Sequence, residues 1–554
     1  MERPWLSFYE KEVPQHIDYQ SVDLYQFLKD SASKFPENTA MIFFGKKTSY
    51  KQLLKYVDSM ATALKKLGIE KGSRVSISLP NSPQFIISFY SVLKLGAIVV
   101  QTNPLYVERE LEHILNDSEA ETIITLDLLY QRVNRVRASK VKNVIITSMK
   151  DFLPSFLSLL YPIKTRLEGH APKVEWENVE RFTNLIKTKP AEWKTEIDPK
   201  EDIALLQYTG GTTGTPKSAA LTHLNLVVNT VQTVSWLTDL KRGEERILAA
   251  IPFFHVYGMT TCMNLAIHTG ATLILVPKFD VKQILKLVQK YKPTIFPGVP
   301  TIYLAINSHP KARKYNLSSI RACISGAASL SVKVKEDFEK LTGAKLVEGY
   351  GLSEAAPVTH CNPLYGHSKP GSIGIPFPDT DAGVVDLVKG EEELKPGEIG
   401  ELVIKGPQVM KGYWNLPEET NSALRGGWLY TGDIAKMDED GYFYIVDRKK
   451  ELIIVSGFNV YPREVEEVLY RHPKVSEVAV IGIPSEKRGE TVKAFIVLKE
   501  GEMVSEDEIK EFCKKELAKY KLPESVEFRD SFPKSLVGKV LKRVLIEEEL
   551  KKAR

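Results

Sequence analysis

Cysteine is scarce in this chain: there are four in 554 residues, Cys262, Cys323, Cys361 and Cys513. No two stand close enough for a metal knuckle or a Cys-x-x-Cys pair. That spacing argues against a thiolate metal site or a disulfide framework and for reduced, buried thiols. Long apolar runs are missing too. Nothing approaches the roughly 20 residues that span a bilayer. The opening Met1-Glu-Arg-Pro-Trp5 lacks the basic stretch and apolar core of a signal peptide, so a cytoplasmic protein is expected. Charge of one sign is also lacking. The 75 Lys and Arg against 70 Asp and Glu leave +5, spread along the chain, which argues against a dedicated nucleic-acid binder. Internal repeats and low-complexity tracts are absent. What is present is an ordinary globular composition, 43% hydrophobic and 26% charged. At roughly 100–200 residues per domain, the length holds several structural units.

The apolar pattern alternates between helical and strand spacing. Ser49–Leu67 reads as a helix stopped by Gly68. Arg74–Leu79 reads as a strand broken by Pro80 and Pro83, Gln84–Leu95 as a helix and Ala97–Gln101 as a strand. The alternation resumes with strand Arg246–Ile251, helix Val281–Tyr291 and strands Thr294–Phe296 and Arg321–Ser325. This order predicts an α/β fold of doubly wound parallel sheets in a large N-terminal domain. Between Gly371 and Pro417, Gly and Pro become frequent and strands short, as in Glu401–Lys405, which predicts a small barrel-like unit. Beyond Asp447-Arg-Lys-Lys-Glu451 the pattern becomes that of a compact α+β tail. Helix Pro462–Tyr470, strands Val475–Ile483 and Val492–Leu498, and helix Glu506–Lys519 belong to it. The expected division is 1–447, a linking turn at 448–450, and a small C-terminal domain at 451–554.

Four segments carry chemistry. Tyr208-Thr-Gly-Gly-Thr-Thr-Gly-Thr-Pro-Lys-Ser218 follows the apolar run Ile203–Leu206. Its glycines let backbone N–H groups point inward, its hydroxyls donate and its lysine adds charge, which together suit an anion cradle. It is not a Walker loop, because Pro216 stands where the second glycine would be. Glu348-Gly-Tyr-Gly-Leu-Ser-Glu354 puts an aromatic face and a carboxylate at the mouth of a sheet, where α/β proteins bind ligands. Tyr430-Thr-Gly-Asp433 and Pro533-Lys-Ser-Leu-Val-Gly-Lys539 are unremarkable alone: an aspartate in a Gly turn and a lysine near the end of the chain.

In that order, and over roughly Tyr25 to Leu541, these segments resemble the adenylate-forming superfamily of acyl-CoA synthetases, luciferases and non-ribosomal adenylation domains. The resemblance implies an enzyme that uses ATP and Mg²⁺ to convert a carboxylic acid to acyl-AMP and then passes the acyl group to coenzyme A. It implies that Thr209, Gly210, Gly211, Thr212, Thr213, Gly214 and Lys217 surround the ATP phosphates. Ser218 departs from the usual glycine. It makes Tyr350 the adenine platform within Glu348, Gly349, Tyr350 and Gly351, and Glu354 the Mg²⁺ ligand. Ser353, in place of the commoner threonine, keeps a hydroxyl near the α-phosphate. Ser325-Gly326-Ala327-Ala328 resembles the stretch lining the adenine and the acyl carboxylate. Asp433 then binds the ribose hydroxyls and Arg448 the ribose and phosphate side. Lys539 is the cation on the substrate carboxylate and α-phosphate, Lys450 is the pivot of the small domain, and Gly457 with Phe458 faces the thiol channel.

Ile251-Pro-Phe-Phe-His255-Val-Tyr-Gly258 is similar to the superfamily stretch beside the acyl pocket, and His255 is counted with the catalytic residues. No acidic residue occurs between Ile251 and Ala271. A charged amino group would lack a partner there, which argues against an amino-acid substrate. Fifteen residues follow Lys539, too few for a carrier domain, so free coenzyme A is the expected acceptor. The wording of the motifs is most similar to fatty-acid–CoA ligases. An aryl-CoA ligase, a luciferase and a catalytically inactive nucleotide-binding relative stay open, as does a homodimer. Leu153, Phe156, Leu157 and Leu160, followed by Lys164 and Arg166, form a stripe that packs on the protein or meets a membrane surface through residues 152–166.

Overall fold

The computed structural model describes residues 3–136, 140–167, 174–175, 179–209, 216–456, 458–485, 488–534 and 540–552. The loop at 210–215, Gly457 and Lys539, all singled out above, lie outside the described residues.

Two sheets organise the N-terminal part. The first has eight strands, with Arg74–Ser78 near its middle, flanked in parallel by Ile98–Gln101 and Thr122–Leu126. Ile203–Thr209 joins this sheet in parallel. Lys217–Thr222 then returns antiparallel to it, so that Thr209 stands opposite Lys217. The second sheet runs from Lys46–Ser49 through Thr39–Phe43 and Thr272–Leu275 to Arg246–Ala249. Bridges through Ile295 carry it on to Ala322–Ser325, which pairs in parallel with Lys345–Gly351. Strand–helix–strand connections with helices packed on the sheets are what the alternating pattern predicts.

Local chemistry explains most element ends. Helix Tyr50–Lys66 starts at Ser49, whose hydroxyl accepts from Gln52 N while the Gln52 side chain accepts from Ser49 N. It is followed by Gly68 at φ +84°. The strand Arg74–Ser78 ends ahead of Pro80 and Pro83, as expected, and Pro83 stands one residue before the expected helix start. It opens helix Pro83–Lys94, because a first-turn N–H needs no intrahelical partner, and Ser82 caps Phe85 N. The expected strand Thr294–Phe296 shrinks to bridges at Ile295. The expected helix Glu506–Lys519 ends at Lys514, and the chain then turns so that Leu517 reaches the core shared by Ile509 and Cys513.

The region rich in Gly and Pro forms an antiparallel five-stranded unit. Asp381–Val385, Gly400–Lys405, Trp428–Met437 and Phe443–Arg448 are its main strands. After it comes a separate α+β layer whose core cluster runs from Ile453 to Leu517. Asp447 joins the two sides, its carboxylate accepting from Arg463 N at 2.8 Å. Beside it, Lys542 sits between Glu466 at 2.8 Å and Glu451 at 3.1 Å.

No helix among the described residues is long and apolar enough to cross a membrane. One helix nevertheless leaves its apolar side uncovered. In Ser155–Leu167, Phe156, Leu159, Leu160, Ile163 and Leu167 are all exposed, Phe156 by 70%. Leu153, which the sequence reading put in this stripe, precedes the helix and is buried in the main core. All four cysteines are free and buried.

Candidate functional site

The parallel pairing of Ala322–Ser325 with Lys345–Gly351 sets Ser325 opposite Glu348. The turn that follows Ser325 and the Glu348–Gly351 segment therefore emerge side by side. Two glycines there are held by contact. A Cβ on Gly326 would stand 3.0 Å from the Tyr257 ring, and one on Gly351 would stand 2.1 Å from the Pro357 carbonyl oxygen. Ala327 takes a positive φ of 68° in the same turn. Tyr257 anchors the His255-Val-Tyr-Gly258 stretch to this edge by donating to Ile324 O at 2.7 Å and Gly298 O at 3.2 Å. His255 Nδ1 accepts from Tyr257 N, and burial pushes the imidazole down to about 4, so it is neutral at neutral pH.

Tyr350 projects toward the five-stranded unit. Its hydroxyl donates to Asp433 Oδ2 at 2.5 Å, and Arg448 Nε contacts Asp433 Oδ1 at 2.7 Å. Asp433 and Arg448 are register partners on neighbouring strands, which fixes that second contact. Burial, then the Asp433 charge, pushes the Tyr350 phenol well above its ordinary range. The Asp433 charge likewise raises Arg448, so the guanidinium stays charged. Each Asp433 oxygen thus has one partner, and a carboxylate oxygen can accept a second hydrogen bond.

Glu354 lies on a short turn, Ser353–Ala355. Its Oε1 accepts from the Tyr413 hydroxyl at 2.8 Å, and its carbonyl accepts from Met410 N at 2.8 Å. Lys217 forms an ion pair with Glu419, and its ammonium lies 5.4 Å from the centre of the Tyr413 ring. Thr209 Oγ1 donates to Lys217 O at 3.3 Å. Ser218 is buried, with no partner for its hydroxyl among the described residues. No group of three or more His, Cys, Asp or Glu fit to hold a metal occurs among the described residues. Glu354, with one carboxylate oxygen on Tyr413, is a lone carboxylate of the kind that can hold Mg²⁺ together with non-protein ligands.

The structure thus forms two groups, Lys217 with Glu419, Tyr413 and Glu354, and Tyr350 with Asp433 and Arg448, close enough that the Glu354 charge acts on Arg448. Ser353 adjoins Glu354 in the chain, and Gly326 and Ala328 follow Ser325, which stands opposite Glu348. Phe458 lies elsewhere, on the small C-terminal layer, 57% exposed and stacked on Tyr520 at 4.9 Å. Lys450 is exposed on the turn Lys449–Glu451. Sequence reasoning missed Tyr413 and Glu419. Their signal was the run Gly412-Tyr-Trp-Asn-Leu-Pro-Glu-Glu419, with its turn residues and paired acids. It also missed how deeply the Glu348 carboxylate is buried. Its Oε2 accepts from Leu330 N at 3.2 Å, and burial raises its pKa from 4.5 to about 7.

Two family models match the chain, one described as AMP-binding enzyme over residues 28–414 and one as AMP-binding enzyme C-terminal domain over residues 464–539. The chain is 50% identical over 551 residues to a long-chain-fatty-acid–CoA ligase of Bacillus subtilis, covering 99% of this chain and 98% of that protein. It is 38% identical over 559 residues to a protein of the same name from Escherichia coli O157:H7, with 99% and 98% coverage. Among solved structures, ATP-bound MatB from Rhodopseudomonas palustris superposes with a TM-score of 0.85 at 29% identity, covering 97% of this chain and all of that one.

Glu348→Gln tests the cost of the buried carboxyl, since the amide oxygen still accepts from Leu330 N. The folded pKa lies above the unfolded one, so the wild type loses stability as pH rises from about 4.5 to about 7 and holds level above that. The variant is expected to match the wild type near pH 4.5 and to be more stable by about 3 kcal/mol at pH 8. Denaturant melts across that pH range check it, and a stability gap that does not change with pH would contradict it.

Proposed function

We infer the function from one premise: this chain belongs to the AMP-binding enzyme family. It activates a long-chain fatty acid with ATP, releasing pyrophosphate and forming acyl-AMP, and then transfers the acyl group to coenzyme A with release of AMP. The observation that carries this is the full-length 50% identity to the Bacillus subtilis ligase. The two neighbouring groups around Asp433 and Glu354 support it.

A carboxylate is a poor electrophile because its leaving group would be oxide. When its oxygen attacks the α-phosphorus, pyrophosphate leaves, and AMP becomes the group that a thiol can displace. The reaction brings anions together, so cations and donors aimed at the phosphates carry much of the catalysis. In this reading Lys217 and Thr209, with the loop at 210–215, face the phosphates, and Lys539 joins the carboxylate and α-phosphate. The Tyr350 face takes the adenine, while Asp433 and Arg448 take the ribose. Mg²⁺ held by Glu354 would supply a Lewis acid for the phosphate oxygens. Neutral His255 stands in the stretch beside the acyl carboxylate as an uncharged hydrogen-bonding group.

Thioester formation needs a second arrangement, with Lys539 withdrawn and a pantetheine path opened past Gly457 and Phe458. Residues 1–447 then form the adenylating body and 451–554 a small domain that swings about Lys450. The separate core cluster from Ile453 to Leu517 supports this division. The enzyme also touches membranes peripherally through residues 152–166. The uncovered stripe on Ser155–Leu167 has no acidic residue and is flanked by exposed Lys150 and Arg166, which suits an anionic lipid surface that holds the substrate.

AMP release from ATP across a graded series of straight-chain and aryl acids, with and without coenzyme A, tests the function. A coenzyme A-dependent maximum at a long aliphatic acid is expected, and a maximum at an aryl acid would overturn the substrate class. Lys539→Ala is expected to lower acyl-AMP formation by at least about a hundredfold, the scale of a charge acting in the transition state. It should leave thioester formation from supplied acyl-AMP largely intact, and equal loss of both steps would remove the two-state picture. Phe156→Glu/Leu160→Glu is expected to abolish co-sedimentation with anionic liposomes while leaving activity on dispersed substrate in place. Undiminished binding would dismiss the membrane contact.

A further inference from the structure

One short segment grips both charged ends of the phosphate site. Gly412–Tyr413 pairs antiparallel with the strand that starts at Lys217, with Tyr413 opposite Ala219. The helix Pro417–Ala423 folds back on it through Thr420, whose hydroxyl oxygen accepts from Tyr413 N at 2.9 Å and donates to Leu416 O at 2.9 Å. From this strap, the Tyr413 hydroxyl holds the Glu354 carboxylate and the Glu419 carboxylate holds the Lys217 ammonium. Lys217 therefore carries a carboxylate in the place where its proposed role calls for a phosphate oxygen.

We propose that Glu419 is an internal stand-in for a phosphate, seated on Lys217 until the nucleotide's own phosphates displace it. This rests on the reading of Lys217 as a phosphate contact. The exchange is physically easy. The Glu419 side chain is 47% exposed and that of Lys217 29%, so the pair is largely screened by water and gives way to a ligand of higher charge. A carboxylate on Lys217 also keeps the cation placed beside Tyr413 and Glu354, so nucleotide binding does not have to order a free lysine side chain. Once displaced, Glu419 faces incoming phosphates with like charge, which limits how tightly ATP and the released pyrophosphate are held. Tyr413 makes no such exchange, because it donates to Glu354 and leaves the carboxylate's second oxygen for a cation.

Calorimetric titration of the full chain with ATP, without fatty acid so that no turnover occurs, tests this. Glu419→Gln keeps the shape and the helix position and removes the competing charge. It is expected to tighten ATP binding about two- to fivefold at low ionic strength, the range that an exposed ion pair commands. The gain should shrink at high ionic strength. Glu419→Asp, which keeps the charge, is expected to bind ATP as the wild type does. In a Lys217→Gln background, Glu419→Gln is expected to add much less. ATP binding that Glu419→Gln leaves unchanged or weakens, with Lys217→Gln still clearly impaired, overturns this inference and leaves the phosphate role of Lys217 standing. Binding that Lys217→Gln does not weaken overturns both.

Discussion

The site depends on one buried carboxylate. Asp433 is 3% exposed, and its two oxygens are divided between the Tyr350 hydroxyl and the Arg448 guanidinium. The contacts join two parts of the molecule: Tyr350 lies at the end of a strand of the second sheet, while Asp433 and Arg448 lie on neighbouring strands of the five-stranded unit, Arg448 immediately before the turn to the C-terminal layer. Removing Arg448 would leave the buried Asp433 carboxylate without its cation, which costs more than the pair contributes when whole. Tyr350, Asp433 and the start of the linking turn therefore hold their relative positions together.

The same division of labour recurs on the phosphate side with weaker contacts. Glu354 and Lys217, opposite in charge, are both tied to the 410–419 strap, but through an exposed ion pair and one phenolic hydrogen bond. On the proposed function, nucleotide and metal enter here, so contacts that exchange with water are the useful kind. Around Asp433 the carboxylate itself is buried, 3% exposed, while the Arg448 side chain is 43% exposed.

Much of this was legible in the sequence because short motifs lie at strand ends. Lys345–Glu348 read as a strand, and the structure extends it to Gly351, which brings Tyr350 to the sheet edge. Helices Val281–Tyr291 and Pro462–Tyr470 matched in full, since their apolar spacing and their ends are local properties. What was not legible was long-range. Nothing near Glu419 in sequence says that it meets Lys217, 202 residues away. Pro83 read as a strand breaker, and whether it also opens the helix depends on where the helix starts, because a proline favours a helix's first turn and disfavours its interior. The stripe at 153–160 was visible, but its exposure depends on what else packs there, and only the three-dimensional arrangement separates buried Leu153 from exposed Phe156.

The proposed swing of the small C-terminal layer sets a requirement on its junction with the rest of the chain. An apolar contact between moving parts would expose area on every opening, at a cost that grows with the area. Here the contacts that join the sides are polar: Asp447 with Arg463 N, Arg463 with Ile445 O at 2.8 Å, and Lys449 with Glu401 at 2.7 Å. Each can be traded for water or for a new partner at modest net cost. Within the moving part, by contrast, Lys542 is clamped between Glu451 and Glu466. Glu451 closes the linking turn and Lys542 opens the last helix, three residues beyond Lys539. A rotation of the small layer about the turn is therefore carried directly to the segment that bears the proposed catalytic lysine.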